Sequence, residues 1–121
     1  MHRAGVPFLA GTDTPNPCLV PGFSLHEELA ELVAAGLTPL EALQAATLGP
    51  ARFLGMTDSL GTVAPGKLAD LVLVGADPTT DIRNTRAIRG VVLGGRYFDR
   101  AALDGLLVTA LRRAAADEVR P

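Results

Sequence analysis

The sequence predicts an α/β chain in which one buried strand and three helices come first, and a small, largely antiparallel sheet and a closing helix follow. Three observations carry this. The apolar run VPFLA at residues 6–10 stops at Gly11, as a short buried strand does. Residues 24–55 then show apolar positions at helical spacing between repeated start and stop signals. From Asp58 onward the period shortens to two, and turn residues separate short β-branched runs.

The chain has 121 residues, enough for one small domain with a modest core, and 48% apolar against 20% charged residues excludes a disordered chain. The formal net charge is -2 with both signs interspersed, so no basic footprint for nucleic acid exists. Cys18 is the single cysteine, which excludes an internal disulfide framework and fits a reducing compartment. No cleavable leader pattern opens the chain and no apolar run approaches a membrane span. Cytoplasm is the expected location, with no membrane or nucleic-acid partner.

The strand at residues 6–10 places Thr12, Asp13 and Thr14 at its C-terminal end, and prolines make residues 15–23 a loop. Ser24 and Glu27 have capping-box spacing, which predicts a helix from Leu25 with Leu29, Leu32 and Val33 on its apolar face and Gly36 as its left-handed stop. Thr38, Pro39 and Glu41 repeat the start signal for a helix through about Thr47. A third short helix runs from Gly49-Pro50 to about Gly55. Ala64-Pro65-Gly66-Lys67 reads as a type II turn that pairs Gly61-Thr62-Val63 with Leu71-Val72-Leu73-Val74. A second hairpin joins residues 88–93 to 96–98 through Gly94-Gly95. Asp99 caps the final helix, whose Leu103, Leu106, Leu107, Ala110 and Leu111 form a stripe that needs something to cover, before the polar end at residues 117–120.

Asp13 is the sharpest candidate for chemistry, because barrel enzymes place catalytic and metal-binding carboxylates just past the C-terminal ends of their strands. The plainer alternative is that Asp13 closes a turn against its own backbone. His26, in the first turn of the next helix, is a candidate to face the same cavity; a solvated surface histidine is the alternative. His2 carries less. Two histidines with no His-x-His or Glu-x-x-His pair do not assemble a His-rich metal centre. Cys18 with His26 lacks a third group to orient a thiolate pair. Gly66-Lys67 lacks both the upstream glycine and the hydroxyl residue of a phosphate loop. Asp70, Asp77 and Asp81 read as structure terminators.

"AGTDT" at residues 10–14, "PGFSLHEELAELVAAGLTPLEALQAATLGPARFLG" at 21–55 and "GTVAPGKLADLVLV" at 61–74 together resemble the C-terminal part of metal-dependent amidohydrolases of the imidazolonepropionase-like and prolidase-like kind. The resemblance covers residues 1–100. It implies an α/β fragment: the last strand and following helices of a TIM-type (β/α)8 barrel, then part of a small β-sandwich and a C-terminal helix. The corresponding divisions are 1–55, 56–100 and 101–121. It also implies a divalent metal, usually zinc, in the complete protein, and hydrolysis of C–N bonds in small amide, cyclic amide or dipeptide-like substrates. Asp13 matches the aspartate at the end of the eighth strand, which contacts metal and takes the proton of the attacking water. His26 matches a histidine that shapes the substrate pocket, and "GKLADLVLV" is structural.

The match is partial. The family's His-x-His on the first strand, its Lys or Glu bridge on the fourth and its His ligands on the fifth and sixth have no counterpart here, and residues 1–5 resemble the tail of the preceding helix. A missing N-terminal segment is therefore the expected partner, the isolated chain is expected to be inactive, and residues 6–10 are expected to be poorly anchored without their barrel neighbours. The rival expectation is a non-catalytic α+β module, folding or self-associating without metal, that binds a partner chain through its sheet edge and C-terminal helix.

Overall fold

The structure is a computed structural model that describes residues 6–14, 16 and 19–117. His2, Cys18, residues 1–5 and all but the start of the polar end at 117–120 lie outside the described residues. Those described form two compact units, one from residues up to 68 together with 74–87, the other from 69–73 together with 88 onward.

In the first unit, residues 6–10 have no strand ladder, which corrects the strand expected there. Ala10 N–H donates to Ala45 O at 2.9 Å, and the segment runs beside the helices with Val6 50% and Leu9 44% exposed. A strand exists only by exchanging bonds with a neighbouring strand, and no described segment lies alongside to do so.

The first helix, α1, spans Phe23–Ala34, with Gly22 as its N-cap and no side-chain cap. The expected capping box at Ser24 and Glu27 does not form. Ser24 is buried in the first turn, where its Oγ accepts from Val20 N–H at 2.8 Å while its own N–H donates to Val20 O at 3.0 Å. That exchange starts the helix two residues early. The stop is as expected: Leu37 N–H reaches back to Leu32 O and Gly36 N–H to Val33 O, with Gly36 at φ 108°. This is the paired-bond Schellman ending that a left-handed glycine permits.

Helix α2, Pro39–Ala46, begins with a complete capping box: Thr38 Oγ1 accepts from Glu41 N–H at 3.3 Å, and a Glu41 carboxylate oxygen accepts from Thr38 N–H at 2.7 Å. Helix α3, Leu48–Phe53, follows almost without a break. Leu29 of α1, Ala42 of α2 and Ile82 form the buried core, with Leu32, Val33, Leu43 and Ala46 packed around them. Alanine at the contact lets α1 and α2 approach closely. Ile82 belongs to a 3-10 turn, Ile82–Arg86, that rests on α1.

Residues 61–63 are not a strand, and Val63 is 84% exposed, so the first expected hairpin is absent. The turn itself is present, with Lys67 N–H donating to Ala64 O at 3.3 Å and Gly66 at φ 85°. Lys67 explains the difference: its ammonium donates to Thr57 O (2.6 Å), Leu60 O (3.3 Å) and Thr62 Oγ1 (2.6 Å). The loop is thereby gathered around a cation and not extended into a ladder.

The sheet, which but for Val74 belongs to the second unit, pairs β1 (Leu71–Val74) with β2 (Ile88–Leu93), and β2 antiparallel with β3 (Arg96–Asp99), in the order β1-β2-β3. Leu93 faces Arg96 across the Gly94-Gly95 turn, as expected. Asp70 Oδ1 accepts from Gly94 N–H at 2.6 Å and Gly95 N–H donates to Ala69 O at 3.1 Å. The start of β1 is thus tied to the far end of β2, and the two run in opposite directions. Helix α4, Arg100–Asp117, is capped by Asp99, whose Oδ1 accepts from Ala102 N–H at 2.8 Å. It packs on β2 and β3 near its start, while Leu106, Leu107, Val108 and Leu111 stay exposed.

Candidate functional site

Asp13 lies in the loop between residues 6–10 and α1, exposed, with φ 54°. It is the one non-glycine with positive φ among the described residues. Aspartate enters this region more readily than most side chains because its short carboxylate bonds locally. Here its Oδ2 accepts from Asn16 Nδ2 at 2.6 Å and its carbonyl from Asn16 N–H at 3.2 Å. Thr12 and Thr14 hydroxyls lie 2.7 Å apart on either side, and Gly11 N–H donates to Glu28 Oε1 of α1 at 3.3 Å. The turn is therefore closed through the Asp13 carbonyl, while its exposed carboxylate meets the Asn16 side chain.

His26 is half-buried on α1, one turn before the core residue Leu29. Its Nδ1 is 3.0 Å from Thr85 Oγ1 in the 3-10 turn. Burial first, and the nearby Arg86 guanidinium second, push its pKa below the ordinary histidine value. Arg86 also reaches Glu27 on α1 at 3.6 Å, an exposed pair of small weight. His26 is not a free surface histidine. No hydrogen bond joins it to Asp13: each is held by its own partner.

Among the described residues no three His, Cys, Asp or Glu side chains converge. A divalent centre takes three or four protein donors, and Asp13 offers one, so these residues do not hold a metal on their own. Lys67 spends its three N–H donors on the loop described above, which agrees with a turn and not a phosphate loop. Asp77 accepts from Thr79 N–H at 2.8 Å and from the Thr79 hydroxyl at 2.7 Å, and Asp81 pairs with Arg83 at 2.7 Å. Those bonds hold both carboxyls below the ordinary aspartate range. They terminate structure, as expected.

Thr85, Glu28 and Arg86 are the contacts that the sequence did not disclose. Thr85 is 59 residues from His26, beyond any local spacing rule. The signal present was a Thr-Arg pair at the end of a turn sequence, which is common and unspecific.

Comparison with known proteins adds the frame that the chemistry lacks. The chain is 49% identical to an imidazolonepropionase of Pyrobaculum arsenaticum over 75 residues, which cover 60% of this chain and 18% of that protein. It is 36% identical to an adenine deaminase of Methylobacterium nodulans over 101 residues, covering 82% and 17%. Among solved structures, a putative prolidase from Bifidobacterium longum superposes with a TM-score of 0.73 at 38% identity, over 91% of this chain and 28% of that one. The chain thus spans less than a third of each. Residues 1–97 match the Amidohydrolase family, and the chain belongs to that family.

Proposed function

We propose that this chain supplies the C-terminal part of a metal-dependent hydrolase that cleaves C–N bonds in small amide, cyclic amide or dipeptide-like substrates. The observation that carries the reading is the family match over residues 1–97. In this reading residues 1–55 complete the barrel, 56–100 contribute to the sandwich and 101–121 form an amphipathic C-terminal helix.

Asp13 is the catalytic carboxylate and one metal ligand. The divalent metal, zinc in our reading, lowers the pKa of water when bound. The Asp13 carboxylate takes the proton of the attacking water and returns it to the departing nitrogen. The exposed carboxylate bonds Asn16 from a left-handed backbone and is open to a ligand, which supports this role. His26 borders the substrate pocket from α1. The remaining donors come from an N-terminal amidohydrolase segment. The apolar faces of Val6 and Leu9, left half open beside Leu37, Gly49 and Phe53, suit a neighbouring strand from that segment. The lone Cys18 suits the cytoplasm as the setting.

The test is hydrolysis of dipeptides and lactams by the purified 121-residue chain with zinc or manganese, alone and combined with an N-terminal amidohydrolase segment. The combination is expected to turn over and the chain alone is not. Robust metal-dependent turnover by the chain alone overturns the shared-site reading.

A second reading is favoured by the exposed Leu106, Leu107, Val108 and Leu111 of α4: a non-catalytic module that docks another chain. It requires cooperative folding or self-association without metal, and no gain of activity on adding the N-terminal segment.

A further inference from the structure

Thr85 is 8% exposed, and its hydroxyl oxygen lies 2.8 Å from Ile82 O and 3.0 Å from His26 Nδ1. A threonine hydroxyl has one proton to give. At 2.8 Å that proton must point at the carbonyl, because two oxygens at that distance with no proton between them repel, and so buried a site has little water to relieve them. Toward His26 the Thr85 oxygen is then an acceptor. Nδ1 carries the ring proton, and in the neutral ring Nε2 carries the lone pair.

The anchor is stiff. Ile82, which receives the Thr85 proton, is 5% exposed in the core beside Leu29 and Ala42. Asn84 Nδ2 donates to Asp77 O at 2.8 Å, and Asp81 Oδ1 accepts from Arg83 N–H at 3.0 Å. The turn is therefore tied at its start and at its middle, and Leu29 packs in the core one turn beyond His26 on α1. A free imidazole exchanges its proton between two nitrogens; this one meets a partner that accepts and has no proton left to give.

We propose that Thr85 is a positioning residue that holds His26 in its Nδ1–H form, so that Nε2 meets the substrate as a hydrogen-bond acceptor and selects a face offering an N–H or O–H donor. The selection rests on the reading that His26 borders the substrate pocket. An amide N–H, an ammonium or a hydroxyl is accepted at this position. A carboxylate or carbonyl oxygen is disfavoured, since the neutral ring has no proton at Nε2 to offer it.

The experiment is long-range ¹H–¹⁵N correlation of the histidine rings in the 121-residue chain at a pH of about 8, where an unperturbed histidine is neutral. Wild type, Thr85→Ser and Thr85→Val are compared, with His26→Gln to assign the signals. Wild type and T85S are expected to show a protonated Nδ1 and an unprotonated Nε2, and T85V a shift toward the opposite form. A wild-type ring protonated at Nε2 overturns the proposal, whatever the chain hydrolyses. Should T85V fail to fold, the wild-type spectrum alone decides. In the enzyme combined with its N-terminal segment, T85V is expected to raise KM several-fold for an N–H-bearing substrate with kcat nearly unchanged, and T85S to restore it. An unchanged KM in His26→Ala overturns the pocket reading, and the selection with it, while the ring spectrum independently reports the Thr85 contact.

Discussion

His26 shows how a single ring couples the fold to solution conditions. Its pKa in the folded chain lies below the ordinary value of about 6.5, through burial and then the Arg86 charge. The unfolded chain therefore binds the proton more readily than the folded one. The resulting stability is fully present above the ordinary pKa and is lost as pH falls through the folded value. The urea midpoint is expected to drop between about pH 7.5 and pH 5, with a smaller drop in His26→Gln, which has no titrating ring; equal drops would remove His26 as the cause. Lys67 acts at the same scale without titrating. Its ammonium gathers Thr57 O, Leu60 O and Thr62 Oγ1, and Lys67→Met is expected to cost about 1–3 kcal/mol by stranding those acceptors. Chemical denaturation checks it, and a loss below about 0.5 kcal/mol would show that water replaces the ammonium at no cost.

At the scale of elements, helix ends decide where the first unit bends. Thr38 and Glu41 cap α2 reciprocally, and α2 carries the fully buried Ala42 of the core. Thr38→Ala is expected to lower stability by about 1 kcal/mol, read from the denaturation midpoint, and Thr38→Ser to recover most of it. Ser24 stands three residues before a Glu as Thr38 does, yet its hydroxyl bonds Val20 N–H instead of Glu27 N–H. The loop before α1 delivers a competing donor to Ser24, and none precedes α2. Local spacing was sufficient where no tertiary partner intervened.

For the whole molecule, the proposed shared site turns on Asp13. Asp13→Asn keeps a side chain of similar size that can still meet Asn16, but it cannot take a proton. In the enzyme combined with its N-terminal segment, it is expected to lower kcat by about 10²-fold or more. Activity within about threefold of wild type would remove Asp13 from the proton path. The exposed apolar residues of α4 belong to this scale too, because Leu106, Leu107 and Leu111 of the expected stripe stay open on a capped helix while Leu103 is half-buried.

The sequence by itself determined the helices, their Schellman and capping-box ends at Gly36 and Thr38, the Gly94-Gly95 hairpin, the Asp99 cap and the family. The helices, caps and hairpin are written in residues a few positions apart, where backbone geometry and side-chain reach are set locally, and the family in three motifs kept in order from residue 10 to residue 74. It also marked Asp13 and His26 as the residues to watch. Only the tertiary structure decided that residues 6–10 form no strand, that Leu71–Val74 pairs with β2 and not with residues 61–63, and that His26 is held by Thr85. Each of these turns on a partner distant along the chain or on competition between partners. A strand, a ladder and a histidine tautomer are properties of pairs, and sequence spacing discloses only pairs that are neighbours.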